Sequence, residues 1–142
     1  MELREITASD SMFFVQLFSV DAPENRFIDF YRNTDDWLKL ADNKKRFALI
    51  VVVHGRPVGF TDIELDGTGG SSFAFGITPA LRGKGFGTKL LRAIETFCKD
   101  NGATTVQAGV EKENTACISL LQKNGYSKTV IEDDVINFIK TL

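Results

Sequence analysis

The apolar positions of the chain change period several times, and each change marks a predicted element. Glu2 to Ile6 alternates charged and apolar residues as a short strand does. Ser9 or Asp10 then offers a cap for a helix bearing Met12, Phe13, Val15, Leu17 and Phe18, which Pro23 interrupts. Asn25 to Arg32 has a mixed period read as helix, and Thr34-Asp35-Asp36 starts another that carries Trp37, Leu38, Leu40 and Ala41. Phe47 to Val53 is a continuous apolar run, as in a strand covered on both faces. His54-Gly55-Arg56-Pro57 makes a turn, and Val58 to Leu65 returns as its antiparallel partner. Asp66 to Gly70 turns again into Ser72 to Thr78, with Phe73, Phe75 and Ile77 at alternate positions. Pro79, which has no amide hydrogen, ends that strand.

From Phe86 the period becomes helical. Phe86, Leu90, Leu91, Ile94, Phe97 and Cys98 fall on one stripe, polar residues fall on the other, and Gly102 supplies the stop. Thr104 to Val110 is a strand reached through this helical crossover, so it is expected parallel to Ser72 to Thr78. A short helix over 115–124 stops at Gly125, and Tyr126 to Ile131 and Val135 to Leu142 form a terminal antiparallel pair. The pattern predicts an α+β fold, a mixed central sheet of about six to seven strands with helices on both faces. Residues 1–142 read as a single domain without repeat or linker.

Composition narrows the partners. A formal net charge of -2 and a pI near 5.4 give no support for a nucleic-acid or anionic-membrane partner. Two cysteines without CxxC spacing and one histidine argue against a zinc site or a disulfide framework, and no metal is expected. The N-terminus carries no apolar run of signal-peptide length and no stretch approaches membrane-spanning length, so a cytoplasmic protein is the expectation; a monomer or homodimer is also expected. His54 stands at a turn tip, where a histidine is ordinarily solvated.

The most informative stretch is Arg82-Gly83-Lys84-Gly85-Phe86-Gly87, between a terminated strand and a strongly amphipathic helix. Glycines at alternate positions let backbone amides turn inward, and the helix points its unpaired amides and positive dipole end at the same spot. That is a cradle for an anion such as a pyrophosphate; the plainer alternative is a flexible loop with basic residues. A dinucleotide fingerprint would need glycine where Thr88 stands, and a Walker loop would need Ser or Thr where Gly85 stands. What remains, Arg82-x-x-Gly85-x-Gly87 after a strand ending Ile77-Thr78-Pro79, resembles the acyl-CoA signature of the GNAT-superfamily N-acetyltransferases. The resemblance implies acetyl-CoA as co-substrate, with its pyrophosphate on the amides of Arg82, Gly83, Lys84, Gly85, Phe86, Gly87 and Thr88. It also implies that the acetyl and pantetheine portions run along Phe75, Gly76, Ile77 and Thr78.

Asn114 to Tyr126 resembles the second signature of that family, in which an Asn opens a short helix beside the cofactor and a Lys-x-Gly-aromatic sequence closes it. Asn114, Leu120, Lys123, Gly125 and Tyr126 match, and Leu121 stands where the family has a tyrosine acid. Asn114 reads equally as a plain helix cap, and Lys123 as a solvated last-turn cation or a phosphate contact. Tyr126 reads as a core aromatic at a strand start.

Acetyl transfer to an amine needs a neutral nucleophile, a polarised thioester carbonyl and a leaving thiolate. For the base, Asp62 and Glu64 stand two apart on one strand face, with a solvent-facing pair as the alternative and Glu64 the preferred residue. The activity implied is N-acetyl transfer from acetyl-CoA to a small amine or peptide amine, directly within a ternary complex. Because the tyrosine is missing, a non-catalytic acyl-CoA-binding regulator is the alternative.

Overall fold

The computed structural model describes residues 1–10, 13, 45–78 and 81–142. The helices expected between residues 12 and 41, and Pro79, fall outside the described residues. β1 (Glu2–Glu5) leads to a 3-10 turn (Ala8–Asp10), and the chain is next described from Lys45 into β2 (Arg46–Val53), β3 (Arg56–Leu65) and β4 (Gly70–Ile77). Helix α1 (Phe86–Asp100), β5 (Thr105–Glu111), helix α2 (Thr115–Lys123), β6 (Ser127–Glu132) and β7 (Val135–Thr141) follow. The strands form one seven-stranded sheet in the order β1-β2-β3-β4-β5-β7-β6. Each expected strand is present with ends shifted by a residue or two, the usual error of boundaries read from pattern.

The apolar run of β2 is buried from Ala48 to Val52, as a strand covered on both faces requires. His54 and Gly55 have φ of 50° and 76°, the paired left-handed geometry of a tight hairpin turn, so the lone histidine is a turn residue. Leu49, Val51, Ile63, Phe73, Val106, Ala108 and Phe138 supply one face of the sheet. Leu90, Leu91, Ile94 and Cys98 of α1 and Leu121 of α2 close over it. The two helices lie side by side on that face: Asn124 Nδ2 donates to Thr88 Oγ1 at 3.3 Å, and a Cβ on Gly87 would come 2.8 Å from Leu120 Cδ2. Ile50 and Phe60, both fully buried, belong to the opposite face.

Asp10, 4% exposed, fastens β1 to the turn that follows. Its carboxylate accepts from Arg4 Nη2 at 2.7 Å, Arg4 Nη1 at 3.0 Å and the Thr7 amide at 2.8 Å. The Arg4 hydrogen bonds hold the carboxyl below its ordinary range. A depressed folded pKa means the stabilisation is present above the unfolded value of about 3.9 and is lost as pH falls through the folded one. Asp10→Asn is expected to cost about 1–3 kcal/mol at pH 7, with the gap from wild type closing in acid. Urea unfolding of both proteins at the two pH values checks this.

One departure from a regular sheet positions everything that follows. β4 and β5 run parallel, but only Gly70, Ser71 and Ser72 pair, with Thr105, Val106 and Gln107. Gly69 O accepts from the Thr104 and Thr105 amides at 2.7 and 3.1 Å, and Ser71 Oγ donates to Thr105 O at 2.7 Å, so that end is pinned shut. Beyond Ser72, β4 stays with β3 as far as Ile77 and β5 stays with β7 as far as Glu111. Each strand follows its outer neighbour, and the sheet opens into a V.

Candidate active site

The backbone inside the V can be read from the register. Asp66 N donates to Gly70 O and Thr78 N to Val58 O at 3.0 and 2.8 Å, which marks the hydrogen-bonded pairs of β3 and β4 at both ends. By alternation, Ala74 and Gly76 spend their N–H and C=O groups on β3, while Phe73, Phe75 and Ile77 turn theirs into the V. On β5 the same argument from Lys112 N to Asp134 O and Leu142 N to Thr104 O leaves the backbone of Gly109 and Glu111 facing the V. The four residues expected along the cofactor therefore divide. Phe75 and Ile77 have backbone groups facing the V, whereas Thr78 N is taken by Val58 and Gly76 has a packing role. A Cβ on Gly76 would sit 2.5 Å from Phe60 Cε1.

At the open end lies the glycine loop. Gly83 and Gly85 have φ of 75° and 83°, and a Cβ on either would meet no described residue within 4 Å. Gly85 is the N-cap of α1 and no side chain caps it, so the first-turn amides of a 15-residue helix are left for another acceptor. Lys84 is exposed beside them. Arg82 is half-buried, and its Nε donates to Ile77 O at 3.0 Å, which ties the loop to the end of β4 as well as adding charge. Phe86 packs against the core, and Thr88 Oγ1 accepts from Asn124. Gly87 answers to a second demand, since any side chain there has to displace Leu120.

Asn114 caps α2: its Oδ1 accepts from Cys117 N at 3.3 Å, while its side-chain nitrogen bonds to none of the described residues. The plain-cap reading holds, and the free amide keeps the ligand reading open. Lys123 is exposed in the last turn of α2, next to the Asn124 that touches α1. Leu121, at the family's tyrosine position, has no exposed surface. Tyr126 is 4% exposed with its ring edge-on to Phe73, and burial raises its phenol above the ordinary value, so it is the expected core aromatic.

Cys117, one turn before Leu121, is half-buried, and burial pushes its thiol up to about 11. Only about one part in ten thousand is thiolate at pH 7, so alkylation is expected to be slow and to rise about tenfold per pH unit. Mass spectrometry after timed iodoacetamide exposure measures this, with Cys98, fully buried, as the unreactive internal control.

On the sheet face away from α1, where β4 and β5 part, a cavity of about 280 Å³ is lined by Arg46, Asp62, Glu64, Ser72, Phe73, Ala74 and Gly109. The two carboxylates share it, as their spacing predicts, but they are not equivalent. Asp62 is buried, and Arg46 clamps it from β2, Nε to Oδ1 at 2.9 Å and Nη2 to Oδ2. Glu64 is exposed, and its carboxylate has no hydrogen bond or ion pair with a described residue. A carboxylate held by a bidentate guanidinium has both oxygens engaged in charge-assisted hydrogen bonds. Arg46 was not legible as a site residue, because only the β2–β3 register brings it to Asp62. Among the described residues no group of three or more His, Cys, Asp or Glu converges as metal ligands would. No described helix is long and apolar enough to cross a membrane.

Comparison with known proteins agrees with this geometry. The sequence pattern of the acetyltransferase (GNAT) family matches residues 12–126. An uncharacterized N-acetyltransferase of Bacillus subtilis, YobR, is 41% identical over 63 residues, which cover 44% of this chain and 25% of that protein. The GNAT domain of PAT from S. lividans superposes with a TM-score of 0.82 at 20% identity, covering 99% of this chain and 89% of that one. PaiA N-acetyltransferase from Thermoplasma acidophilum, in complex with coenzyme A, gives a TM-score of 0.80 at 15% identity over 99% of this chain and 98% of that one.

Proposed function

Since the chain belongs to the acetyltransferase (GNAT) family, we propose that it is an N-acetyltransferase that moves an acetyl group from acetyl-CoA directly to a primary amine held in the same complex. The observation that carries this reading is the V between β4 and β5, with the uncapped end of α1 at its mouth and an acid-lined cavity on the face away from α1 and α2. Acetyl-CoA supplies the acetyl thioester. Its pyrophosphate fits the amides that Gly83 and Gly85 leave accessible, with Lys84 exposed beside them; Lys123 and the free amide of Asn114, at opposite ends of α2, are candidate contacts for different parts of the same molecule. The pantetheine amides fit the unspent backbone of Phe75, and the Ile77 amide is a donor for the thioester carbonyl oxygen.

Glu64 acts as base. It takes a proton from the acceptor ammonium, directly or through water; the freed nitrogen bonds to the acetyl carbon and gives up its second proton to water; and the carbon–sulfur bond breaks with its electron pair on sulfur. Asp62, the other candidate, is given no proton-transfer role in this reading because Arg46 already engages both of its oxygens. The departing thiolate, near the Cys reference pKa of about 8.5, collects its proton from water without a tyrosine acid.

The second reading, an acyl-CoA-binding regulator, is favoured by one observation: Leu121 at the acid position is sealed in the core. Calorimetry with acetyl-CoA, followed by amine-dependent release of free CoA thiol across an unbiased amine panel, separates the two. Tight binding with no thiol release from any amine would reject the enzyme reading in favour of the regulator.

A further inference from the structure

The inner wall of the acceptor cavity is built so that one of its two carboxylates is cancelled. Arg46 stands directly opposite Glu64 in the β2–β3 register, yet its guanidinium reaches diagonally and engages both oxygens of Asp62. The Asp62 side chain is 6% exposed and the Arg46 side chain 26%. Such a fork is held by two parallel hydrogen bonds, and a buried carboxylate would be costly without it. The charged groups among the described lining residues are thus Arg46, Asp62 and Glu64, +1 − 1 − 1, a net −1 carried by Glu64.

We propose that the Arg46–Asp62 pair is a specificity device that limits the cavity to an acceptor bringing a single positive charge, a monoamine with a neutral remainder, and disfavours diamines and longer polyamines. This rests on the reading of the cavity as the acceptor site. Glu64 attracts one ammonium and accepts its proton. A second ammonium meets an Asp62 whose oxygens are occupied and a guanidinium of like charge beside them, so it enters without compensation for its lost hydration. Arg46 and Asp62 act by setting the charge of the wall, as positioning residues that take no proton.

The experiment compares 1-aminopentane with 1,5-diaminopentane, which differ by one ammonium at nearly equal length. Wild type is expected to show a kcat/KM at least tenfold higher for the monoamine. Arg46→Gln uncovers Asp62 and should reverse or erase that ratio, whereas Arg46→Lys, which keeps the charge, should retain it. Arg46→Gln also leaves a buried carboxylate unpaired and can fail to fold. The double variant Arg46→Met/Asp62→Leu, which keeps the net −1 without any buried ion, should then keep a monoamine preference, reduced by the loss of the guanidinium's repulsion, while Asp62→Asn, at net zero, should weaken both amines. Affinities of the two amines measured by calorimetry with CoA present give the same ratio without turnover. Absence of acetyl transfer alongside a monoamine preference in that titration would reject the transfer reading and leave the charge rule standing. A wild type that prefers the diamine, that binds neither amine, or whose ratio is unchanged in folded Arg46→Gln overturns the proposal. So does a double variant that loses the monoamine preference.

Discussion

Glu64→Gln is expected to lower the rate of acetyl transfer by about 10²–10⁴-fold at neutral pH while leaving acetyl-CoA affinity nearly unchanged. Glutamine keeps the size of the side chain and removes its capacity to take a proton. Glu64 is on β3, across the sheet from the helix end assigned to the cofactor, so the loss should fall on kcat rather than on cofactor binding. The sign of the pH dependence follows from the acceptor. An alkylammonium near the Lys reference pKa of about 10.4 is almost wholly charged at pH 7, and the base is needed because the neutral amine is scarce. As pH rises toward that value the solvent does the work, and the gap between variant and wild type should narrow. A loss that falls on the KM for the amine with kcat unchanged would show that Glu64 serves only to attract the cation. Equal rates in the two proteins would remove the assignment altogether, since Asp62 is already occupied by Arg46.

Gly85→Val is expected to weaken acetyl-CoA binding by about ten- to a hundredfold, the range for losing hydrogen bonds to a charged group. Valine at a φ of 83° is strained, and relieving that strain turns the first amides of α1 away from their common focus. Its side chain also projects into the space through which the phosphates would approach, which no described residue fills. The control is Gly102→Val at the other end of the same helix, where φ is 90° and a Cβ is equally unobstructed. It carries the same backbone penalty and should lose stability without losing affinity. If both variants weaken binding alike, the effect is loss of fold rather than loss of the cradle. Gly87 is a poorer probe, because a side chain there collides with Leu120 and mixes packing with binding.

Much of the site was legible locally. The glycine loop lies between Ile77 and the first turn of α1, and its signal lies in residues adjacent in sequence: positive φ at Gly83 and Gly85, and a helix that starts without a side-chain cap. Asn114 was legible for the same reason, since a cap bonds to an amide three residues on. The carboxylate pair was half legible. Alternation puts Asp62 and Glu64 on one face whatever the rest of the chain does, but it says nothing of what stands beside that face. Gly76 was assigned to the cofactor from its place in the motif, and the constraint that the structure reveals there is the ring of Phe60 lying across it.

The sequence by itself determined the elements and their periods: seven strands, a helix with a continuous apolar stripe, and a glycine-framed helix start. These depend on side-chain alternation and on backbone freedom within a few residues. Tertiary structure alone decided which groups face one another. The V exists because β4 stays paired to β3 and β5 to β7 past the point where Ser72 and Gln107 part, a competition between hydrogen-bonded partners that neither strand's own residues record. The difference between Asp62 and Glu64 likewise arises sixteen residues away at Arg46, whose reach across the β2–β3 pair engages one carboxylate and leaves the other without a partner among the described residues.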